Sequence, residues 1–190
     1  MKKLSLSLLL AMMTTQAFAH TGHGLASGFM HGAQHPFLGV DHLLAILAVG
    51  LWSGFVLPQR FWMGAAAFLL AMTAGAGLSW AGAGIPIVET GIVVSVIAFG
   101  VLAAVGRQGQ AVWLTRASLG AIAVFALFHG FAHAAESTGD VPAYLAGFLI
   151  ATAALHGLGI VLARAIADRM ILQRASGAAI AASGLLMMVG

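Results

Sequence analysis

The chain has 190 residues, of which 61% are hydrophobic and only 7% charged, with a mean hydropathy of +1.03. A water-soluble domain needs about a quarter of its residues charged to clothe its surface, so this composition excludes a soluble globule and leaves lipid as the main solvent. The formal charge of +3 comes from basic residues that, Lys2-Lys3 apart, stand singly and form no nucleic-acid patch, and the lack of cysteine excludes disulfides, thiolate metal sites and a cysteine nucleophile.

In chain order, Met1-Lys2-Lys3 forms a basic start and Leu4 to Met13 an apolar stretch. Ala17-Phe18-Ala19 then supplies the small-x-small pattern that signal peptidase cuts. Cleavage after Ala19 makes residues 1–19 a signal peptide and His20 the first mature residue. A secretory signal implies a bacterial-type envelope with the mature N-terminus outside the cytoplasm.

A bilayer core needs about 20 apolar residues per helix. Six segments meet that scale: Val40–Leu57, Phe61–Ala81, Ile87–Val105, Val112–Ala134, Ala143–Ala163 and Ala175–Val189. The fold expected is therefore an all-α polytopic transmembrane bundle, with six spans after a cleaved signal peptide and residues 20–190 as one domain. The 25 glycines suit it, because small residues let transmembrane helices approach closely. Gly75-Ala76-Gly77 and Gly177 with Gly184 read as such packing positions.

The positive-inside rule tests the orientation independently. With the mature N-terminus outside, loops one, three and five face the cytoplasm, and they hold Arg60, then Arg107 and Arg116, then Arg164, Arg169 and Arg174. Loops two and four hold no Lys or Arg, and loop four carries Glu136 and Asp140. The expected location is the bacterial inner membrane, with both termini periplasmic.

Ionisable groups in or beside spans are costly in hydrocarbon, so each is a functional candidate. His35, Asp41 and His42 stand at the outer mouth of span one, Glu89 just inside the outer end of span three, and His129, His133 and Glu136 at the outer part of span four. His156 lies deeper, near the middle of span five. His129 and His133 are four residues apart and share a helix face, a common way to present two metal ligands. Glu136 extends that face, while Pro36 marks the helix start and lets His35 fold back from the entry segment, with Asp41 and His42 projecting from the first turns. Nitrogen and oxygen donors without thiolate suit a borderline divalent cation such as Ni2+, Zn2+, Cu2+ or Co2+. Two readings stand for His156, a ligand or a hydrogen-bonding brace between helices. Glu89 is either a charge partner of the site or an interfacial residue. The mature N-terminal His20 and His23 either capture metal or belong to a polar tail.

His35-Pro36-Phe37-Leu38-Gly39-Val40-Asp41-His42, followed by Leu43-Leu44-Ala45, closely resembles the signature of the HupE/UreJ family. Phe128-His129-Gly130-Phe131-Ala132-His133-Ala134-Ala135-Glu136 resembles its second motif, in the expected fourth span. The resemblance runs over essentially the whole chain. Ala134 departs from it, since family members commonly carry Gly there. The first motif is also similar to the His-x4-Asp-His of the nickel/cobalt transporter family, with one more residue between His and Asp.

The resemblance implies a nickel permease tied to hydrogenase or urease maturation, with cobalt as the alternative ion. The metal is then cargo and not a prosthetic group, and the chain is not an enzyme. Expected partners are a divalent metal ion and the lipid bilayer, with no nucleic acid and homo-oligomerisation left open. Two competing readings are an intramembrane metal-dependent hydrolase and a metal-delivery partner that does not transport.

Overall fold

A computed structural model of the protein describes residues 25–137 and 140–189. The signal segment, its cleavage point, His20 and His23 lie outside the described residues. Within them the chain is all helical: α1 Leu25–Gln34, a 3-10 turn His35–Phe37, α2 Val40–Val56, α3 Trp62–Trp80, α4 Val88–Val105, α5 Val112–Glu136, α6 Val141–Ala165 and α7 Met170–Val189. Helices α3 to α7 are each long and apolar enough to cross a membrane. A sixth candidate is a bent pair: the α1 segment and α2 qualify together but bend by 77° where they join. The chain is a multi-pass membrane protein.

Local chemistry explains where the helices stop and start. Helix α3 ends in a left-handed glycine, Gly82, at φ +82°. There Ala83 N–H bonds Leu78 O and Gly82 N–H bonds Ser79 O, which satisfies carbonyls the helix end would otherwise orphan. Helix α6 starts from Asp140, whose side chain accepts the Ala143 N–H at 2.8 Å, with Pro142 in the first turn.

The sequence boundaries hold apart from three revisions. Residues 25–34, which precede the first apolar segment, form a helix that packs on α6. Pro36 belongs to the 3-10 turn and not to the start of the span; an extended Gly39 caps α2, which begins at Val40. The last span begins at Met170 and not Ala175, so Arg174 lies within its second turn. Long basic side chains reach water from a helix end, so the charge there did not mark a boundary.

The helices pack in pairs: α3 on α5, α4 on α7, and both α1 and α2 on α6, with α2 also against α4. Their cross-membrane core includes Trp52, Phe68, Phe99, Ile122 and Tyr144. Small residues set the distances. A methyl group on Gly50 of α2 would lie 2.5 Å from His156 O and 3.0 Å from Gly159 Cα on α6, so only glycine permits that contact. Gly75, Gly177 and Gly184 are likewise closed in by neighbouring helices, whereas Gly77 faces open space.

Up-and-down connectivity sorts the charges. Asp41 and His42 open α2 and Arg60 follows its end; Arg116 stands near the start of α5 and Glu136 at its end; Asp140 precedes α6 and Arg164 closes it. Along α5 alone, the 20 residues from Arg116 to Glu136 span about 30 Å. Apart from His156 within α6, the described histidines and the arginines occupy opposite ends of the bundle.

Candidate metal centre

His129 and His133 face inward from one side of α5 and are 1% and 4% exposed. The first turn of α2 brings His42 against them, with ring centroids 4.8 Å from His129 and 4.1 Å from His133. One donor nitrogen from each of the three lies within 4.8 Å of the others. Such a set is compact enough to surround a single ion.

Neighbouring side chains decide which nitrogens are free. Asp41 Oδ1 accepts from His42 Nδ1 at 2.8 Å and from the His42 backbone N–H at 2.8 Å. A carboxylate only accepts, so the proton sits on Nδ1 and the Nε2 lone pair is available. That Nε2 is buried without a protein partner. At His129 the same logic runs through Ser95. The Ser95 hydroxyl donates to Ile92 O at 2.6 Å and so accepts from His129 Nε2 at 2.8 Å. His129 Nδ1 is thus left as a lone pair, also buried and unpartnered. An imidazole whose second nitrogen is tied to a carboxylate or hydroxyl is oriented for metal, because the outer bond holds both tautomer and ring plane.

His35, His133 and Glu136 form a second group, again with donor atoms within 4.8 Å. His35 Nε2 donates to Glu136 Oε2 at 2.9 Å, and the same oxygen lies 3.6 Å from His133 Nδ1. Glu136 is half exposed, so this group faces outward while the first is enclosed. His133 belongs to both groups. Neither of its ring nitrogens has a hydrogen-bond partner within the described residues. Aromatic walls close the site: Phe148 packs on His133 at 4.3 Å, and Tyr144 on His35 at 5.8 Å. Both walls come from α6.

The structure thus gathers His35, Asp41, His42, His129, His133 and Glu136. It places His156 apart, fully buried on α6, with Nδ1 donating to Ile46 O on α2 at 2.9 Å. That bond braces two helices, while Nε2 stays buried and unpartnered. Phe68 separates the levels, its ring 5.4 Å from His129 and 5.0 Å from His156. Glu89 is exposed and joins neither group, because the buried stripe of α4 runs through Val88, Ile92, Ser95 and Phe99. Ser95 is the member that sequence reading passed over. Its one signal is a hydroxyl on an otherwise apolar buried stripe.

Asp41 and Glu136 contribute up to two negative charges to offset a dication, and the imidazoles contribute neutral nitrogens. Nitrogen and oxygen donors of this kind fit a borderline divalent ion.

Comparison with known proteins identifies the family. The family model described as HupE / UreJ protein matches residues 8–187. Protein HupE of Rhizobium leguminosarum bv. viciae is 35% identical over 195 residues, covering 100% of both chains. No solved structure gives a significant match. With family model, full-length relative and both histidine motifs in accord, the chain belongs to the HupE/UreJ family.

Proposed function

We propose that this protein is an inner-membrane permease for a divalent borderline cation, Ni2+ first and Co2+ as the alternative, supplying the maturation of a nickel enzyme such as hydrogenase or urease. The observation that carries the reading is the enclosed trio of His42, His129 and His133, each presenting a ring nitrogen within 4.8 Å of the others. Burying three imidazoles is costly unless their lone pairs find a partner, and a passing dication is the partner that uses all three. The arginine asymmetry supports an orientation with the histidine end periplasmic.

In this reading the ion meets the outward group of His35, His133 and Glu136 first, with His20 and His23 upstream on the mature N-terminus. It then moves to His42, His129 and His133, which Asp41 and Ser95 hold in place. His133 serves both groups, so an ion changes groups by exchanging partners around one fixed imidazole. His156, beyond Phe68, offers one nitrogen as the next step inward. Mixed nitrogen and oxygen ligands of moderate strength capture an ion and still release it, as conduction requires. The chain carries its cargo and catalyses no covalent step.

Uptake of 63Ni by cells producing wild type or His42→Ala tests the function. Wild type should accumulate nickel above vector cells, and His42→Ala should fall to their level. Wild-type uptake at vector level would end the permease reading and favour a delivery partner. Turnover of a lipid or peptide bond by Zn-loaded protein would favour the hydrolase.

A further inference from the structure

At the opposite end of the bundle from the histidines, the ends of α2, α4, α6 and α7 enclose a cleft of about 890 Å3. Arg107, Arg164 and Arg174 line it together with one acid, Asp168, while Phe55 and Met170 contribute apolar wall. Three positive charges against one negative leave the cleft basic. Within the described residues no ion pair joins Asp168 to an arginine, since every pair found involves histidine.

Arginines near helix ends commonly satisfy C-terminal carbonyls, and at the end of α4 that role is taken by Gln173. The Gln173 amide donates to Ala103 O at 3.0 Å and Gly106 O at 2.7 Å, which occupies carbonyls at the end of α4. Arg164 donates to Pro58 O at 3.2 Å and lies 4.4 Å over the Phe61 ring, so it is held in place. The guanidinium groups of Arg107 and Arg174 have neither a carbonyl nor a carboxylate partner among the described residues. Both residues line the cleft, so their donors are free at its wall.

We infer that this cleft binds the phosphate headgroup of an anionic phospholipid. It lies where spanning helices end, the depth at which a bilayer places its headgroups. Its volume falls within the ~300–1,000 Å3 of small-molecule sites. A guanidinium meets two phosphate oxygens at once, which suits it to this ligand better than a point charge. Basic pockets between spanning helices on the cytoplasmic side are suited to such headgroups, and Phe55 and Met170 offer apolar surface to the glycerol and first methylenes. The histidine groups lie at the other end of the bundle, so the test reads no metal.

Native mass spectrometry of the detergent-purified full chain, titrated with phosphatidylglycerol or phosphatidylcholine, tests the site. Wild type should retain phosphatidylglycerol in preference. Arg107→Gln/Arg174→Gln should bind it about thirtyfold more weakly, from the loss of two charges beside the headgroup. Arg116→Gln, whose residue lies outside the cleft, should behave as wild type. If the double variant does not purify as a monodisperse protein, each single variant should show about a fivefold loss. Equal retention of the two lipids by wild type overturns the inference, as does undiminished phosphatidylglycerol binding by the variants. Displacement of the lipid by millimolar inorganic phosphate also overturns it, by making the site one for a soluble anion.

Discussion

The Ser95 hydroxyl and His129 Nε2 lie 2.8 Å apart inside the bundle, and the serine's own proton goes to Ile92 O, so the histidine must donate. A residue of no apparent chemistry therefore selects which histidine nitrogen keeps a free lone pair. Ser95→Ala should weaken metal binding by about 10- to 100-fold, the usual cost of losing an orienting partner. Ser95→Thr, which keeps the hydroxyl, should recover most of it. Metal titration of the purified protein measures this, and full affinity in Ser95→Ala would remove the serine from the site.

Asp41 holds His42 as Ser95 holds His129, and it also supplies charge. Asp41→Asn keeps the shape but removes the negative charge, and Asp41→Ala removes both. Nickel uptake should drop to vector level in Asp41→Ala, while Asn should retain a measurable fraction. Equal uptake by wild type and Asp41→Ala across a metal titration would count against this role.

His133 is common to both groups, so the two cannot each hold an ion with a full set of ligands. Wild type should bind one equivalent of Ni2+ at the histidine end. His35→Ala should still bind one equivalent but take it up more slowly, and His133→Ala should bind weakly at either group. Calorimetry on protein purified without a histidine tag reads the stoichiometry; two tight equivalents would mean that the groups act separately.

Packing gives a prediction about stability. Gly50→Ala places a methyl group 2.5 Å from His156 O and should destabilise the fold by about 1–3 kcal/mol through overpacking. Gly157→Ala, where nothing lies within 4 Å, serves as the control and should unfold with wild type. Thermal unfolding in detergent compares them. An unchanged midpoint for Gly50→Ala would show that α2 and α6 can move apart at little cost.

The legible and illegible parts of this protein divide along physical lines. Apolar length is a property of consecutive residues, so the spans could be read within a few positions. Four-residue spacing places His129 with His133 because a helix repeats every 3.6 residues. The convergence of His42 on that pair needs the packing of α2 relative to α5, which no local pattern encodes. Two expectations depended on depth alone. Glu89 stands at the right level, but its first-turn position points away from the buried stripe of α4. His156 is at the expected depth, yet Phe68 and the bond to Ile46 O set it apart. Residues 25–34 precede the first apolar segment and carry two glycines, Gly28 and Gly32. Gly32 there lies directly against the Tyr144 backbone, so close packing on α6 supplies what intrinsic propensity lacks.

If the protein is the permease proposed above, the double membership of His133 has a kinetic consequence. A gate built on one shared ligand behaves as a turnstile, admitting the next ion only when the last has let go. Flux through it should saturate hyperbolically with metal concentration, without the sigmoid onset of paired sites. A tightly held competitor such as Zn2+ or Cu2+ should slow nickel by dwelling at the turnstile, in proportion to its residence time there. Selectivity in such a device is set by how quickly each ion leaves as much as by how tightly it binds.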